Sequence, residues 1–248
     1  MLVIFHPDLN AFYASVECLH PLDIGTSLLK LRQGIILAKN QLAKQYGVKT
    51  SDTIGQAHQK APGLIVVPSN RSPYLKFSQL VYSIYLQCTP YVESFGLDEA
   101  WFGITQPGMG LEQGRLIAEE LRQRIKEEVG LTISIGVSRN KIFAKLGSDY
   151  QKPDAVTMIT PENYKSLVWP LPASDLLYVG PATTRKLSRY GVSTIGDIAN
   201  TPTELLQVWL KKWRLYLHIF ANGWDSCPVQ SADSLVPIKS IGNSPFAA

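Results

Sequence analysis

Asp98 and Glu99 stand side by side in an otherwise apolar stretch, and this pairing limits the folds open to the chain more than any other feature. Tyr91, Val92, Phe95 and Leu97 precede the pair, and Ala100, Trp101, Phe102 and Ile104 follow it. The β-branched and aromatic pattern predicts two short strands meeting at a hairpin, with Gly96 giving a permissive backbone near the bend. Adjacent carboxylates in such surroundings repel each other and lose hydration unless water reaches them or a cation sits between them. Either the pair solvates an exposed turn or it holds a divalent metal, and a second acidic site must choose between the two.

The N-terminus supplies that second site. Leu2–Phe5 reads as a buried strand, His6 and Pro7 close it, and Asp8 stands at its end. Phe12, Val16 and Leu19 then recur at near-helical spacing, so Asp8 falls at a strand-to-helix junction where unpaired backbone N–H groups attract phosphate. If this strand lies beside the hairpin, three carboxylates converge. Hard oxygen ligands without His or Cys suit magnesium.

The phrase DLNAFYASVE from Asp8 to Glu17, followed by SFGLDEAW from Ser94 to Trp101, closely resembles the two catalytic motifs of Y-family translesion DNA polymerases of the bacterial DinB/UmuC type. The resemblance implies nucleotidyl transfer from a dNTP to a primer 3′ hydroxyl on template DNA. Asp8, Asp98 and Glu99 would be catalytic and would hold two Mg2+ ions, with the Leu9 carbonyl as a further ligand. Main-chain N–H groups of Asn10, Ala11, Phe12 and Tyr13 would hold the triphosphate, and Tyr13 falls at the steric-gate position beneath the incoming sugar. Matching on the shared Gly47-Val48 places Gln41 and Lys44 where many members have a triphosphate-contacting Tyr and Arg. Lys44 keeps the cation without Arg's planar fork.

Composition is compatible with this reading and excludes others. The 248 residues are 45% hydrophobic and 18% charged, as in an ordinary globular protein, with a net charge of +4 that suits a nucleic-acid partner. No apolar run approaches the roughly 20 residues of a membrane span, and the apolar start is too short for a signal peptide, so a cytoplasmic protein is expected. Three scattered cysteines and four scattered histidines form neither a disulfide framework nor a zinc site.

Along the chain, strands at 34–38 and 64–67 and short helices at 41–46, stopped by Gly47, and 53–60 make a small irregular subdomain, read as fingers over 11–70. The family normally has a longer segment between Pro21 and Gly34; here only Leu22–Gln33 fills it, with Ser27–Leu31 as a makeshift strand. Ser72-Pro73 is expected to start a helix running towards Pro90. A helix over 111–129 ended by Gly130, a strand over 132–137, a helix over 140–148 and a strand over 155–159 complete an α+β, ferredoxin-like palm over 1–10 and 71–160. Arg139, Lys141, Lys145 and Lys152 form a basic run around one anion, Asp149, which by itself is an ordinary solvated helix face. SIGVSRNKIFAK from Ser134 and SDYQKP from Ser148 resemble the third palm motif of the same polymerases, by which Asp149 orders the site and Lys152 contacts the triphosphate.

From Pro161 to residue 234 the pattern is all-α. DLLYVGPATTRKL from Asp175, then YGVSTIGDIA from Tyr190, resembles a helix-hairpin-helix thumb, where Val179, Gly180, Ala182, Thr183, Arg185 and Lys186 would contact DNA backbone. Gly180 would let that backbone approach. Lys211, Lys212 and Arg214 among Trp209, Trp213 and Tyr216 read as a core with a basic rim. LVPIKSIGNS from Leu235 resembles the linker and first strand of the family's little-finger domain, expected to be missing beyond a stub at 235–248. Primer–template DNA and dNTP are the expected partners of a monomer; no residues name a sliding-clamp contact. The alternatives are a nucleotidyl cyclase, which also sets paired acids on such a palm, and a catalytically weak remnant that binds DNA.

Overall fold

A computed structural model describes residues 2–19, 27–30, 34–210 and 214–234. Its main sheet takes strands from distant parts of the chain: β1 (Leu2–Leu9), β5 (Val92–Ser94), β6 (Ala100–Thr105), β7 (Ile133–Ser138) and β8 (Val156–Met158), in the spatial order β5-β6-β1-β7-β8. β1 is central and antiparallel to both β6 and β7, while β8 runs parallel to β7. Both faces of β1 are covered, which is why its sequence is a nearly unbroken apolar run. Val3, Phe5 and Leu9 belong to the large core with α4 (Arg71–Cys88) and α5 (Leu111–Val129). Ile4 faces the other way, towards Ala144 of α6 (Lys141–Tyr150). The two-residue period then sends His6 and Asp8 to the α6 side as well.

The paired strands expected around Asp98 and Glu99 are β5 and β6, in register from Val92 against Phe102 to Ser94 against Ala100. Gly96 is not needed for a left-handed backbone there, since it has no positive φ. Phe102 stacks on Phe5 with ring centroids 4.4 Å apart, and burying such a ring is worth about 2–3 kcal/mol. α4 starts two residues earlier than expected. Its cap is Asn70, whose side chain accepts from the Ser72 N–H, and Pro73 sits in the first turn where no donor is required. α5 ends as expected at Gly130, left-handed at φ 76°. Gly136 in β7 has a stricter role: a Cβ there would run into the backbone of Ala144 and Ser148, so only glycine lets α6 lie this close to the sheet.

α1 (Phe12–Cys18) packs its Phe12, Ala14 and Val16 into the large core. A second, three-stranded sheet follows, with β2 (Ser27–Lys30) antiparallel to β3 (Ile36–Lys39) and parallel to β4 (Ile65–Pro68). β2 is the makeshift strand; Leu31 and most of the shortened segment lie outside the described residues. α2 (Gln41–Gln45) and α3 (Ile54–Lys60) close a small core of Ile36, Ala43, Val48, Ala57, Ala61 and Leu64. Thr53 and Gln56 form a reciprocal capping box at the start of α3.

The C-terminal part is helical: α7 (Tyr164–Leu167), a single 3-10 turn at Ala173–Asp175, α8 (Pro181–Ser188), α9 (Ile195–Asn200), α10 (Thr203–Leu210) and α11 (Arg214–Ala221). Its core joins the outer face of α6 through Ile142, Phe143 and Leu146. Trp209 stacks on Tyr190 at 4.1 Å, the packing expected of it; Lys211, Lys212, Trp213 and residues 235–248 lie outside the described residues. The segment after α11 returns to the main sheet, where Val229 joins Ile4 and Trp101, and Ala232 N–H donates to the Pro90 carbonyl at 3.0 Å. Among the described residues no helix is long and apolar enough to cross a membrane.

Candidate active site

Backbone pairing brings the acids together. Asp8 bridges Glu99 across the β1–β6 edge, and the Leu9 N–H donates to the Asp98 carbonyl at 3.0 Å. Both sheets border the resulting cleft of about 390 Å³. Asp8, Leu9, Asp98 and Glu99 line one end, with Asn10, Ala11, Phe12 and Tyr13 where β1 turns into α1. Gln41 and Lys44 line it from α2, and Lys152 from the turn after α6. Residues from four separate stretches of sequence thus meet at one cavity.

The surroundings of Asn10 differ from expectation. The Asn10 N–H is not available to a ligand, because it donates to the Thr132 carbonyl at 2.9 Å. The Asn10 side chain donates to Ser134 Oγ at 2.9 Å and accepts from the Asp154 N–H at 2.8 Å, so this residue staples β1, β7 and the turn carrying Lys152. The Phe12 side chain is 1% exposed in the large core, which leaves only its backbone to face the cleft. Ala11 caps α1 in the left-handed region at φ 47°, costly for a residue with a Cβ. The Tyr13 ring packs edge-on against Tyr74 at 5.0 Å, and burial, then the Asp98 charge, pushes its hydroxyl above the usual range.

The electrostatics are those of a crowded acidic cluster. Lys145 Nζ lies 3.1 Å from Asp8 Oδ2, 2.8 Å from Glu99 Oε2 and 3.1 Å from Asp149 Oδ2. Lys152 Nζ lies 2.6 Å from Asp8 Oδ2 and 2.7 Å from Asp149 Oδ1. Burial works against the Glu99 charge, but His6 and Lys145 outweigh it and hold that carboxyl at about 2. Burial also works against the Lys145 charge, and Asp8, Asp149 and Glu99 together keep it firmly protonated. Asp98 is the exception. Burial, then the charges of Glu99 and Asp8, raise its carboxyl above the usual range, and among the described residues it has no ion-pair partner. Glu99 Oε2 is buried and, despite the nearby ammonium, has no partner at hydrogen-bonding geometry. An oxygen-only donor set with one carboxylate raised by burial and its neighbours' charge and one orphaned oxygen has the chemistry of a hard divalent site, although among the described residues no three such side chains are arranged to hold a metal ion as they stand.

Four participants are not evident in the sequence. Lys39, at the end of β3, lines the cleft and donates to Thr50 Oγ1 at 3.3 Å. Lys145 reads there as only one cation in a basic run. His6, fully buried, lies 3.4 Å from Glu99 Oε2. Asp154 holds Arg122 at 2.7 Å and Lys126 at 2.9 Å and so anchors the Lys152 turn to α5. The alternation of β1 could have marked His6, which shares the face of Asp8.

The expected DNA contacts lie together on the helical part. Ala182, Thr183 and Lys186 line a groove of about 400 Å³ beside Tyr178, and Arg185 is exposed on α8. Val179 departs from expectation: its side chain is buried and its N–H donates to the Leu176 carbonyl at 3.0 Å. Gly180 has an ordinary φ of −79° with open space around it, and the strained residue of the hairpin is Tyr178, at φ 71°.

Comparison with known proteins converges on one family. Residues 7–149 match the family model described as impB/mucB/samB. The chain is 51% identical over 248 residues to DNA polymerase IV of Acetivibrio thermocellus, covering 98% of this chain and 62% of that protein. It is 34% identical to DNA polymerase IV of Ralstonia nicotianae over 93% of this chain and 66% of the relative. It therefore spans less than two thirds of the length of these curated relatives. The crystal structure of DinB from Sulfolobus solfataricus superposes with a TM-score of 0.84 at 29% identity, over 93% of this chain and 70% of that one. The insertion ternary complex of Dbh DNA polymerase does so with the same score and identity, over 92% and 69%. Since the family match covers more than half of the chain and takes in both Asp8 and the Asp98–Glu99 pair, this protein belongs to the impB/mucB/samB family of Y-family DNA polymerases.

Proposed function

We propose that the chain is the catalytic part of a bacterial translesion DNA polymerase, adding dNTPs to a primer 3′ end on template DNA. The observation that carries the reading is the single cleft in which Asp8, Asp98 and Glu99 face Tyr13, Gln41, Lys44 and Lys152. Two Mg2+ ions held by Asp8, Asp98, Glu99 and the Leu9 carbonyl would supply the Lewis acidity that activates the primer hydroxyl and offsets charge on the phosphates. The chain's own residues do the positioning. Lys152, Lys44 and Lys39 offer ammonium donors to a triphosphate, and Gln41 a neutral one. The N–H groups of Ala11, Phe12 and Tyr13, at the start of α1, add uncharged donors. Tyr13 lies beneath the sugar and excludes a 2′ hydroxyl, while Asp149 holds Lys145 and Lys152 in reach of Asp8. Arg185 and Lys186, with the N–H groups of Ala182 and Thr183, hold the duplex by its phosphates. In this reading residues 1–10 and 71–160 are palm, 11–70 fingers and 161–234 thumb, acting in the cytoplasm as a monomer.

Primer extension with purified chain, a primed template, dNTPs and Mg2+ tests the proposal. Extension that depends on magnesium and is lost in Asp98→Ala supports it. Extension that survives this substitution, or none in the wild type beside an active control polymerase, overturns it.

A further inference from the structure

We infer that Glu93 is a positioning residue: its carboxylate clasps the segment after α11 to the main sheet and so seats the hairpin of residues 176–180 on that sheet. The inference rests on reading α8, into which the hairpin leads, as a DNA contact. Glu93 lies on β5, the outermost strand of the sheet, opposite Trp101. Its Oε1 takes the Lys141 ammonium at 2.6 Å, and its Oε2 accepts from the Gln230 N–H at 2.9 Å. Lys141 is itself held, with its ammonium 4.6 Å from the centre of the Trp101 ring and its carbonyl accepting from the Trp101 indole N–H at 3.0 Å. One side chain thus joins β5, the start of α6 and the returning segment. Two donors meet there, and each needs its own acceptor oxygen. A carboxylate has two, whereas a carboxamide of the same shape has one and turns its NH2 towards the other donor.

The returning segment acts as a strap because it is fixed along its length. At its start Gly223 is left-handed at φ 71°, and a Cβ there would run into the Phe143 ring, so the strap leaves α11 pressed against α6. The Asn140 side chain donates to the Gly223 carbonyl at 3.0 Å. Further along, Val229 is buried with Ile4, Trp101 and Ala144, and Leu177 of the hairpin packs against that same cluster. The Gln230 bond to Glu93 follows at once, and the Ala232 bond to the Pro90 carbonyl comes two residues later. Val229 therefore lies between a fixed start and a charged clasp, and the seat of Leu177 is complete only while Val229 stays down. Next to Leu177 is Tyr178, whose left-handed backbone at φ 71° turns the chain towards Gly180 and α8. Among the described contacts Glu93 reaches neither the cleft nor α8; it acts on α8 through the strap.

Two variants test this from opposite sides. Glu93→Gln keeps the shape and removes one acceptor, while Gln230→Pro removes the strap's N–H and leaves Glu93 and Lys141 in place. Hydrogen exchange of the 248-residue chain without DNA reports the seating directly. Both variants are expected to speed exchange about tenfold at the Ala232 and Val179 N–H groups, the low end for loss of a hydrogen bond to a charged group, with β1 and β7 unchanged. In extension assays both are expected to raise the KM for primed duplex by up to about tenfold, because only chains with the hairpin seated bind it. The addition rate at saturating DNA is expected to match the wild type. A Glu93 that merely stabilises the sheet would lower the melting temperature and leave Val179 exchange and the DNA KM as they are. That outcome overturns the inference, as does faster exchange confined to the strap; if Glu93→Gln does not fold, Gln230→Pro decides alone. Failure of the polymerase reading would show instead in the wild type, as no binding of primed duplex, and the exchange data would still judge the clasp.

Discussion

Among the three acids, Asp98 carries the unrelieved charge, and this gives it two separable signatures. Its folded-state value is raised, so folding favours its protonated form. That contribution to stability is present in acid and lost as pH rises through the raised value. Metal-free Asp98→Asn should therefore melt at a higher temperature than wild type at pH 7, with the gain shrinking towards pH 4 as protonation of the wild-type carboxyl removes its charge. Thermal melts in chelator at both pH values check this, and an unchanged or lower melting temperature at pH 7 would contradict it. In extension assays Asp98→Ala should lose nucleotide addition by orders of magnitude, each about 1.4 kcal/mol of barrier being tenfold, while DNA binding changes little. Tyr13 makes a third test. Its half-buried ring leans on Tyr74 rather than filling the core centre, so Tyr13→Ala should fold, admit ribonucleotides and still add deoxynucleotides. A folded variant as selective as the wild type would remove Tyr13 from the sugar site.

α6 is the element on which the site depends, because it carries Lys145, Ser148 and Asp149 and packs against the sheet on one side and the helical part on the other. Asn140 secures its start: Oδ1 accepts from the Phe143 N–H at 2.8 Å, and Nδ2 donates to the Gly223 carbonyl at 3.0 Å. Asn140→Ala removes a cap worth about 1–2 kcal/mol and also that link to the helical part. A melting temperature lower by about 2–8 °C is expected for a chain of this size, and an unchanged one would show that the cap is redundant. The same element shows what a sequence conceals. A helix over 140–148 is legible from its apolar spacing and from an Asn ahead of it, both local features. That its Lys145 reaches an acid 137 positions away is not, because a lysine in a basic run has the same pattern whether solvated or buried. Asn70 and Ser72 are equally good caps in sequence, and only the helix bounds separate them.

For the whole molecule the open quantity is its grip on DNA. Exposed Arg185 and Lys186 on α8 and the cations around the cleft are the phosphate contacts the reading provides, and each contributes about 0.9 to the slope of log affinity against log salt. The 248-residue chain should show a shallow slope, micromolar or weaker binding in physiological salt, and release after nearly every addition. Neutralising Arg185 or Lys186 should lower the slope without altering sequence preference. Binding measured from low to physiological salt checks this. A steep slope with long products from one encounter would point to another surface holding the duplex.

Relations between neighbouring residues determine much of this protein. The strand run ending in Asp8, the hairpin around Asp98 and Glu99, the Gly130 stop and the family itself are legible because periodicity, capping and motif spacing are local properties of the chain. Tertiary structure decided the rest: that Lys145 and Lys152 share Asp8, that Asn10 spends its donors on Thr132 and Ser134, that Tyr178 rather than Gly180 bears the strain of the hairpin, and that His6 and Ser148 meet beside Glu99. Burial and ion pairing depend on distance in space, and in this fold the residues that set them come from neighbouring central strands and the helix packed over them, far apart in sequence.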